Sequence, residues 1–222
     1  MTNEVSKNIW NVFKTASKAG KEATALLDLI DNKLEHFDSS KEKNHSILKE
    51  IKYLNYDAKF DESGWILVNE TRTYAITPLG KTTSKYALGI QVVLYDDEPS
   101  MITEQSLLNI ILQYDKSRET FEPKNWFTGD STSDDWEGYE LQSKDFTICT
   151  LTDGRCQQEG DDIIFSMPLG SLASPTDVNI KVINVIEALL KSFNPNSGDV
   201  IDAIAKAKDI INLKEYFPEQ AI

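Results

Sequence analysis

Carboxylates dominate the side chains that could do chemistry, because the 222-residue chain contains only two histidines and two cysteines. Six residues separate Cys149 from Cys156, whereas paired zinc ligands are typically about two to four residues apart. His36 and His45 fall at predicted helix ends, where a histidine commonly interacts with the helix dipole. The sequence therefore predicts no catalytic residue, no metal site and no cofactor.

Residues 75–82 contain the closing Gly-Lys-Thr of a phosphate-binding loop. Such a loop needs a strand before it and a helix after it, because backbone amides at the helix N-terminus hold the phosphates. Here Ala75 replaces the first glycine, and only 13 residues separate Thr82 from the acidic Asp96. That length is too short for a helix and a returning strand, so the segment is predicted to be a β-turn between two strands.

Acidic residues at two predicted strand ends leave an enzymatic alternative open. Asp96, Asp97 and Glu98 follow one strand, and Asp115 follows another. Paired carboxylates can act as general acid and base or bind a divalent metal, which would suit a small hydrolase or a nucleotide- or metal-dependent enzyme. A calcium loop beginning at Asp130 is not predicted, because its sixth position is not glycine.

The net charge of −13 is concentrated in one part of the chain. Residues 93–162 contain 17 acidic and 5 basic residues, a balance of −12, whereas residues 1–21 contain one acid and four lysines, a balance of +3. The densest acidic stretch also contains aromatic residues. Acidic side chains steer association with a basic protein, and aromatic side chains anchor an interface. The predicted partner-binding residues are Asp130, Asp134, Asp135, Trp136, Glu137, Tyr139 and Glu140.

The spacing of apolar residues predicts the helices that lie before this acidic stretch. Residues 5–37 place apolar side chains three and four positions apart without a proline, which predicts one long helix. Ser39 with Glu42 fits a capping box, and apolar residues at 47, 48, 51 and 54 predict a second helix. Together the two segments predict an N-terminal helical hairpin over residues 1–55.

Residues 56–222 are predicted to form an α+β domain that is continuous with the hairpin. Strands are expected at 65–68 and 73–76, around a turn at Asn69-Glu70-Thr71, and at 85–95, 107–114, 146–151 and 163–169. Asp153-Gly154 is a hairpin signal that would place Leu151 opposite Cys156.

Two C-terminal helices complete the predicted fold, the first beginning at Ser174-Pro175. The expected fold class is therefore α+β, with the helical hairpin, a central mainly antiparallel sheet of about six strands, and the two C-terminal helices packed on one face.

Composition and motifs favour a binding protein over other classes. The acidic balance argues against general nucleic-acid binding, which depends on Lys and Arg neutralising phosphates. No apolar run could form a transmembrane segment, and no secretory signal is evident, so a cytoplasmic protein is expected. The long helix leaves open a homo-oligomer through residues 5–37, or contact of its basic first 21 residues with an anionic surface. The predicted function is a non-enzymatic acidic protein-interaction module of the inhibitor, immunity or adaptor type, which binds a basic protein partner.

Overall fold

The computed structural model of the chain describes residues 3–38, 47–60, 64, 66–84, 86–94, 106–114, 139–142, 149–153, 162–194 and 196–211. Within these ranges the protein has an α+β fold. A long N-terminal helix and C-terminal helices pack on one face of an antiparallel sheet.

Five strands of seven or more residues form the body of the sheet in the described ranges, and two shorter strands extend it. The strands are β1 (Leu48–Phe60), β2 (Leu67–Pro78), β3 (Tyr86–Val93), β4 (Leu107–Tyr114), β5 (Tyr139–Gln142), β6 (Cys149–Asp153) and β7 (Asp162–Pro168). Their order is β1-β2-β3-β4-β7-β6-β5, and every neighbouring pair is antiparallel. The expected sheet of about six strands is thus corrected to five long strands, with β6 and β5 continuing it to one edge.

The long N-terminal helix predicted over residues 5–37 is confirmed as α1 (Asn3–Leu34), followed by one 3-10 turn (Glu35–Phe37). No helix in the described part of the chain combines the length and apolar character needed to cross a membrane. The C-terminal helices are α2 (Pro175–Val178), a π-helical segment (Asn179–Ile183), α3 (Asn184–Ser192) and α4 (Gly198–Ala207). Ser174 caps α2 as predicted, because its Oγ accepts a hydrogen bond from the Asp177 backbone amide at 3.2 Å.

One buried apolar cluster joins the helices to the sheet. The antiparallel register places β3, β4 and β7 side by side, so that alternate residues of each point to the helices. The Tyr86 ring of β3 also stacks on Phe193, which follows α3, with ring centroids 4.2 Å apart. Members of the cluster from each layer include Leu27, Ile30, Ile90, Ile110, Phe165, Val185 and Leu189.

The predicted second helix of the hairpin is wrong, because residues 48–60 form strand β1. Apolar residues three apart suggested a helix, but a register shift between Leu48 and Glu50 changes which side of the strand faces the core. Leu48 and Ile51 are therefore both buried although they lie three residues apart in a strand. β1 also runs continuously across residue 55, and residues 39–46, with the proposed capping box, lie outside the described ranges.

The predicted turn at Asn69-Glu70-Thr71 is also wrong, because β2 is one continuous strand through these residues. Three consecutive polar residues usually mark a solvent-exposed turn. Here all three are buried. The glutamate can be buried because an arginine two positions later pairs with it, so the polar stretch lies inside the fold.

The connection between β2 and β3 is a turn, as predicted for the segment that resembles a phosphate-binding loop. The Lys81 amide donates to the Pro78 carbonyl at 3.1 Å, and Gly80 has a φ of 76°, as the third position of a type II turn requires. The predicted turn at Asp153-Gly154 is wrong, since Leu151 pairs with Asp162 rather than with Cys156. The Asp153-Gly154 signal therefore did not predict the connection between β6 and β7, which is longer than a two-residue turn.

Candidate functional site

Arg72 lies at the centre of a polar cluster between α1 and β2. Successive strand residues point to opposite faces, so Glu70, Arg72 and Tyr74 share the face of β2 that lies under the helix. Asp28 and Asp31 are three residues apart in α1 and therefore lie on one side of the helix. The strand alternation and the helix spacing together bring one guanidinium close to three carboxylates.

Both terminal nitrogens of Arg72 bind carboxylates. Its Nη2 lies 2.8 Å from Asp28 Oδ1 and 3.2 Å from Glu70 Oε1, and its Nη1 donates to Asp31 Oδ2. Glu70 Oε2 also accepts a hydrogen bond from the Thr24 hydroxyl at 2.7 Å. The Glu70 side chain is only 1% exposed, whereas that of Asp28 is 61% exposed. Arg72 therefore stabilises the charge of Glu70 more than that of Asp28, because water solvates the Asp28 carboxylate directly.

Tyr74 completes the cluster by donating its hydroxyl hydrogen to Asp31 Oδ1. Burial raises the pKa of Tyr74 above the ordinary value of 10.0, and the hydrogen bond to Asp31 and the charge of that carboxylate raise it further. Burial by itself lowers the pKa of Arg72, but the hydrogen bonds to its carboxylate partners outweigh this effect and raise it. At neutral pH the tyrosine is therefore neutral and the arginine is charged.

The geometry of the cluster is that of a structural clamp. The guanidinium is occupied by carboxylates of the same chain, and Tyr74 holds its proton too tightly to act as a base. Within the ranges described above, no group of three or more His, Cys, Asp or Glu side chains could hold a metal ion. The cluster therefore attaches α1 to the sheet.

A second polar arrangement crosses the opposite face of the sheet. Gln91, Asn109 and Ser166 are aligned across β3, β4 and β7. Ser166 Oγ donates to Asn109 Oδ1 at 2.8 Å, and Asn109 Nδ2 donates to Gln91 Oε1 at 3.1 Å. Gln91 is 0% exposed, and its Nε2 has no hydrogen-bond partner among the described residues. The row is thus a chain of hydrogen bonds that ends in an unused donor.

The predicted partner-binding residues fall partly within the described ranges. Tyr139 and Glu140 are the first two residues of β5, where they pair with Asp153 and Thr152 of β6. The other predicted residues lie outside the described ranges: Asp130, Asp134, Asp135, Trp136 and Glu137.

The carboxylates of the enzymatic alternative, Asp96, Asp97, Glu98 and Asp115, also lie outside the described ranges. The same holds for His45 and Cys156, whereas His36 belongs to the 3-10 turn and Cys149 begins β6. The enzymatic alternative stays a prediction.

The two edges of the sheet differ in how their backbone donors are used. At the β1 edge, Ile51 donates its amide to Asp38 Oδ2 at 3.2 Å, and Tyr56 donates its amide to Asn55 Oδ1 at 2.9 Å. These side chains occupy donors that an added strand would need, which is a common way to protect a sheet edge. At the other edge, no described strand pairs with the outer side of β5.

The exposed surface also contains an apolar helix face. Every residue from 5 to 15 of α1 is exposed, whereas Leu27, Ile30 and Leu34 of the same helix are buried. The spacing of apolar residues predicted a continuous apolar side of this helix, but it could not show at which residue that side becomes buried.

In the described residues, neither the fold nor the side-chain geometry defines an enzyme active site; these residues form an α+β protein with side-chain hydrogen bonds along the β1 edge and an exposed first half of α1. In comparisons with known proteins, no family model matches the sequence, and no curated protein or solved structure is significantly similar to it.

Proposed function

We propose that the protein is a non-enzymatic interaction module that binds a basic protein partner through the acidic edge, defined as β5 together with residues 130–138. The position of Tyr139 and Glu140 in the last of the described strands at one edge of the sheet is the observation that best supports the proposal. The predicted acidic and aromatic residues lead directly into this strand in the sequence.

The physical basis of binding combines three contributions. The −12 balance of residues 93–162 attracts a basic partner over a distance of about one Debye length, roughly 8–10 Å in physiological salt. An outer strand can add main-chain hydrogen bonds to an extended segment of the partner. Trp136 and Tyr139 would supply the apolar contacts that hold the complex after encounter. Such a module would act as an inhibitor, immunity protein or adaptor, and a cytoplasmic location is part of the proposal.

Charge-neutral variants test this function. The full chain carrying Asp134→Asn, Asp135→Asn, Glu137→Gln and Glu140→Gln should lose its partner in a capture experiment. A matched control should keep the partner, because it neutralises four exposed acids outside the acidic edge: Glu22, Glu50, Asp57 and Asp202. Both variants change the net charge equally, so a general charge effect would weaken both.

Recovery of the same basic partner by the first variant would contradict the proposal. Equal loss in both variants would also contradict it, because binding would then follow net charge rather than the acidic edge. Repeating the capture at raised salt strengthens the test. The unmodified protein should then capture less of the partner, because steering by exposed charges weakens as ionic strength rises.

A further inference from the structure

The polar row, defined as Gln91, Asn109 and Ser166, lies on the face of the sheet opposite the described helices. The residues on either side of each member along the chain belong to the other face, because side chains of a strand alternate. All three members are nevertheless 0% exposed. Polar atoms at such depth are almost always hydrogen-bonded to protein or to ordered water.

One atom of the row departs from this rule. The Gln91 carboxamide accepts a hydrogen bond from Asn109 through Oε1, whereas its Nε2 has no partner among the described residues. Reversing the amides of Gln91 and Asn109 would exchange donors and acceptors along the row, but one polar atom of Gln91 would still point away from Asn109. The unpaired atom is therefore a property of the row in both amide orientations.

The register shows which residue lies beyond Gln91. Thr71 of β2 is paired directly with Gln91 of β3 and is only 2% exposed. Glu70 and Arg72 point to α1, so Thr71, between them, points to the face that carries the row. The Cβ atoms of directly opposite residues are about 4.5–5.5 Å apart. One water molecule can bridge polar groups at this range through two hydrogen bonds of about 2.8–3.0 Å.

The neighbouring side chains restrict the chemistry of the bound group. A buried ion needs a countercharge, and the residues beside Gln91 on this face of the two adjacent strands are uncharged. Water is neutral, and because it both donates and accepts hydrogen bonds it suits either orientation of the amide. The neighbouring residues are Asn69, Thr71 and Thr73 on β2, and Leu107, Asn109 and Ile111 on β4.

We propose that one buried water molecule bridges the Gln91 carboxamide and the Thr71 hydroxyl. Gln91 Nε2 donates to the water oxygen, and the water donates to Thr71 Oγ1. The row then continues from β7 through β4 and β3 to β2, which are adjacent in the sheet. The site does not involve the acidic edge and is independent of the function proposed above.

Oxygen-17 relaxation dispersion of the full chain tests the proposal, because it counts water molecules that remain bound while the protein tumbles. Thr71→Val, which keeps the shape of threonine but lacks the hydroxyl, should lose one such water relative to the unmodified protein, and so should Gln91→Leu. Thr77→Val is the matched control and should lose none. Thr77 is also buried on this face of β2 but lies six residues away, roughly 20 Å along the strand. Circular dichroism should show the same fold for all four proteins.

Three outcomes would overturn the proposal. One is an unmodified protein without a long-lived bound water. Another is an unchanged count in Thr71→Val or in Gln91→Leu, since the water would then be held elsewhere. The last is an equal loss in Thr77→Val, because the loss would then reflect the removal of any buried hydroxyl on this face.

Discussion

Replacing Arg72 by methionine should destabilise the protein strongly, because it leaves a buried carboxylate without its cation. Methionine fills much of the space of the arginine stem, so the effect of lost packing is small. The Glu70 carboxylate is 1% exposed and, among the described residues, would keep only the hydrogen bond from Thr24. Breaking a buried pair by removing one partner costs about 3–5 kcal/mol. Asp28 adds little to this figure, because its carboxylate is largely solvated.

The matching single and double substitutions separate the buried charge from other effects. Glu70→Leu should cost only about 1 kcal/mol, because Arg72 retains Asp28 and Asp31. The double variant, Arg72→Met with Glu70→Leu, should recover at least about 2 kcal/mol relative to Arg72→Met alone, because no uncompensated buried charge remains.

Urea denaturation at pH 7 measures these differences. The free energy of unfolding is obtained by linear extrapolation, and an unchanged m-value shows that the variants unfold in the same way. A cost below about 1 kcal/mol for Arg72→Met would refute the reasoning. Strictly additive single substitutions would refute it as well, because the two residues would then not be coupled.

Three further predictions follow from single positions. Tyr74→Phe should lower the free energy of unfolding by about 1 kcal/mol at pH 8. Because the pKa of Tyr74 is raised in the folded protein, the stability of the unmodified protein relative to the variant should fall by roughly 1.4 kcal/mol per pH unit above 10.0, the ordinary pKa of tyrosine. Denaturation of both proteins at several pH values measures this difference. Gly80→Ala should lower the free energy of unfolding by about 1–2 kcal/mol, because an alanine is strained at a φ of 76°. Gly170→Ala is the control, since an added methyl group would meet no atom within 4 Å at either glycine, and it should change the free energy by less than about 0.5 kcal/mol. Equal effects of the two substitutions would contradict the turn geometry. Asn109→Leu should lower the free energy of unfolding by about 3 kcal/mol, because it removes two buried hydrogen bonds. Gln91→Leu should cost at least about 1 kcal/mol less, because it also removes a buried donor without a described partner. Calorimetry that ranked the two variants in reverse would contradict this hydrogen-bond arrangement.

Regular periodicity made most of the fold predictable. The 3.6-residue pattern of α1, the alternation of β4 and the capping sequence at Ser174 each agree with their final structure, because local preference and burial favour the same element. The β2–β3 turn was predictable for the same reason. Gly80 supplies the positive φ that the turn requires.

The errors arise where tertiary contacts override a local pattern. In β1 a register shift gave a strand the three-residue spacing of a helix, so Leu48 and Ile51 were assigned to the wrong element. In β2 the pairing of Glu70 with Arg72 buried a polar stretch that resembled a turn. The β-rich residues at 65–68 and 73–76 predicted the two ends of this strand, but the polar residues between them carried no strand signal.

The candidate surfaces were predictable to different degrees. Charge counting identified the acidic stretch around residue 136, whereas the strand assignment of Tyr139 and Glu140, which end that stretch, follows only from the pairing of β5 with β6. The apolar stripe of α1 was visible in the sequence, whereas the point at which the sheet stops covering it, near Gly20, depends on tertiary packing. The clamp at Arg72 joins residues more than 40 positions apart and has no local signature.

Site-specific photo-crosslinking tests the central claim that the acidic edge binds a basic partner. A photoreactive phenylalanine analogue in place of Tyr139 should crosslink the full chain to one protein rich in Lys and Arg, and the crosslink should weaken in high salt. The same analogue in place of Ile201, which is exposed on α4, should give no such product. Absence of a crosslink from Tyr139, or the same product from both positions, would contradict the claim.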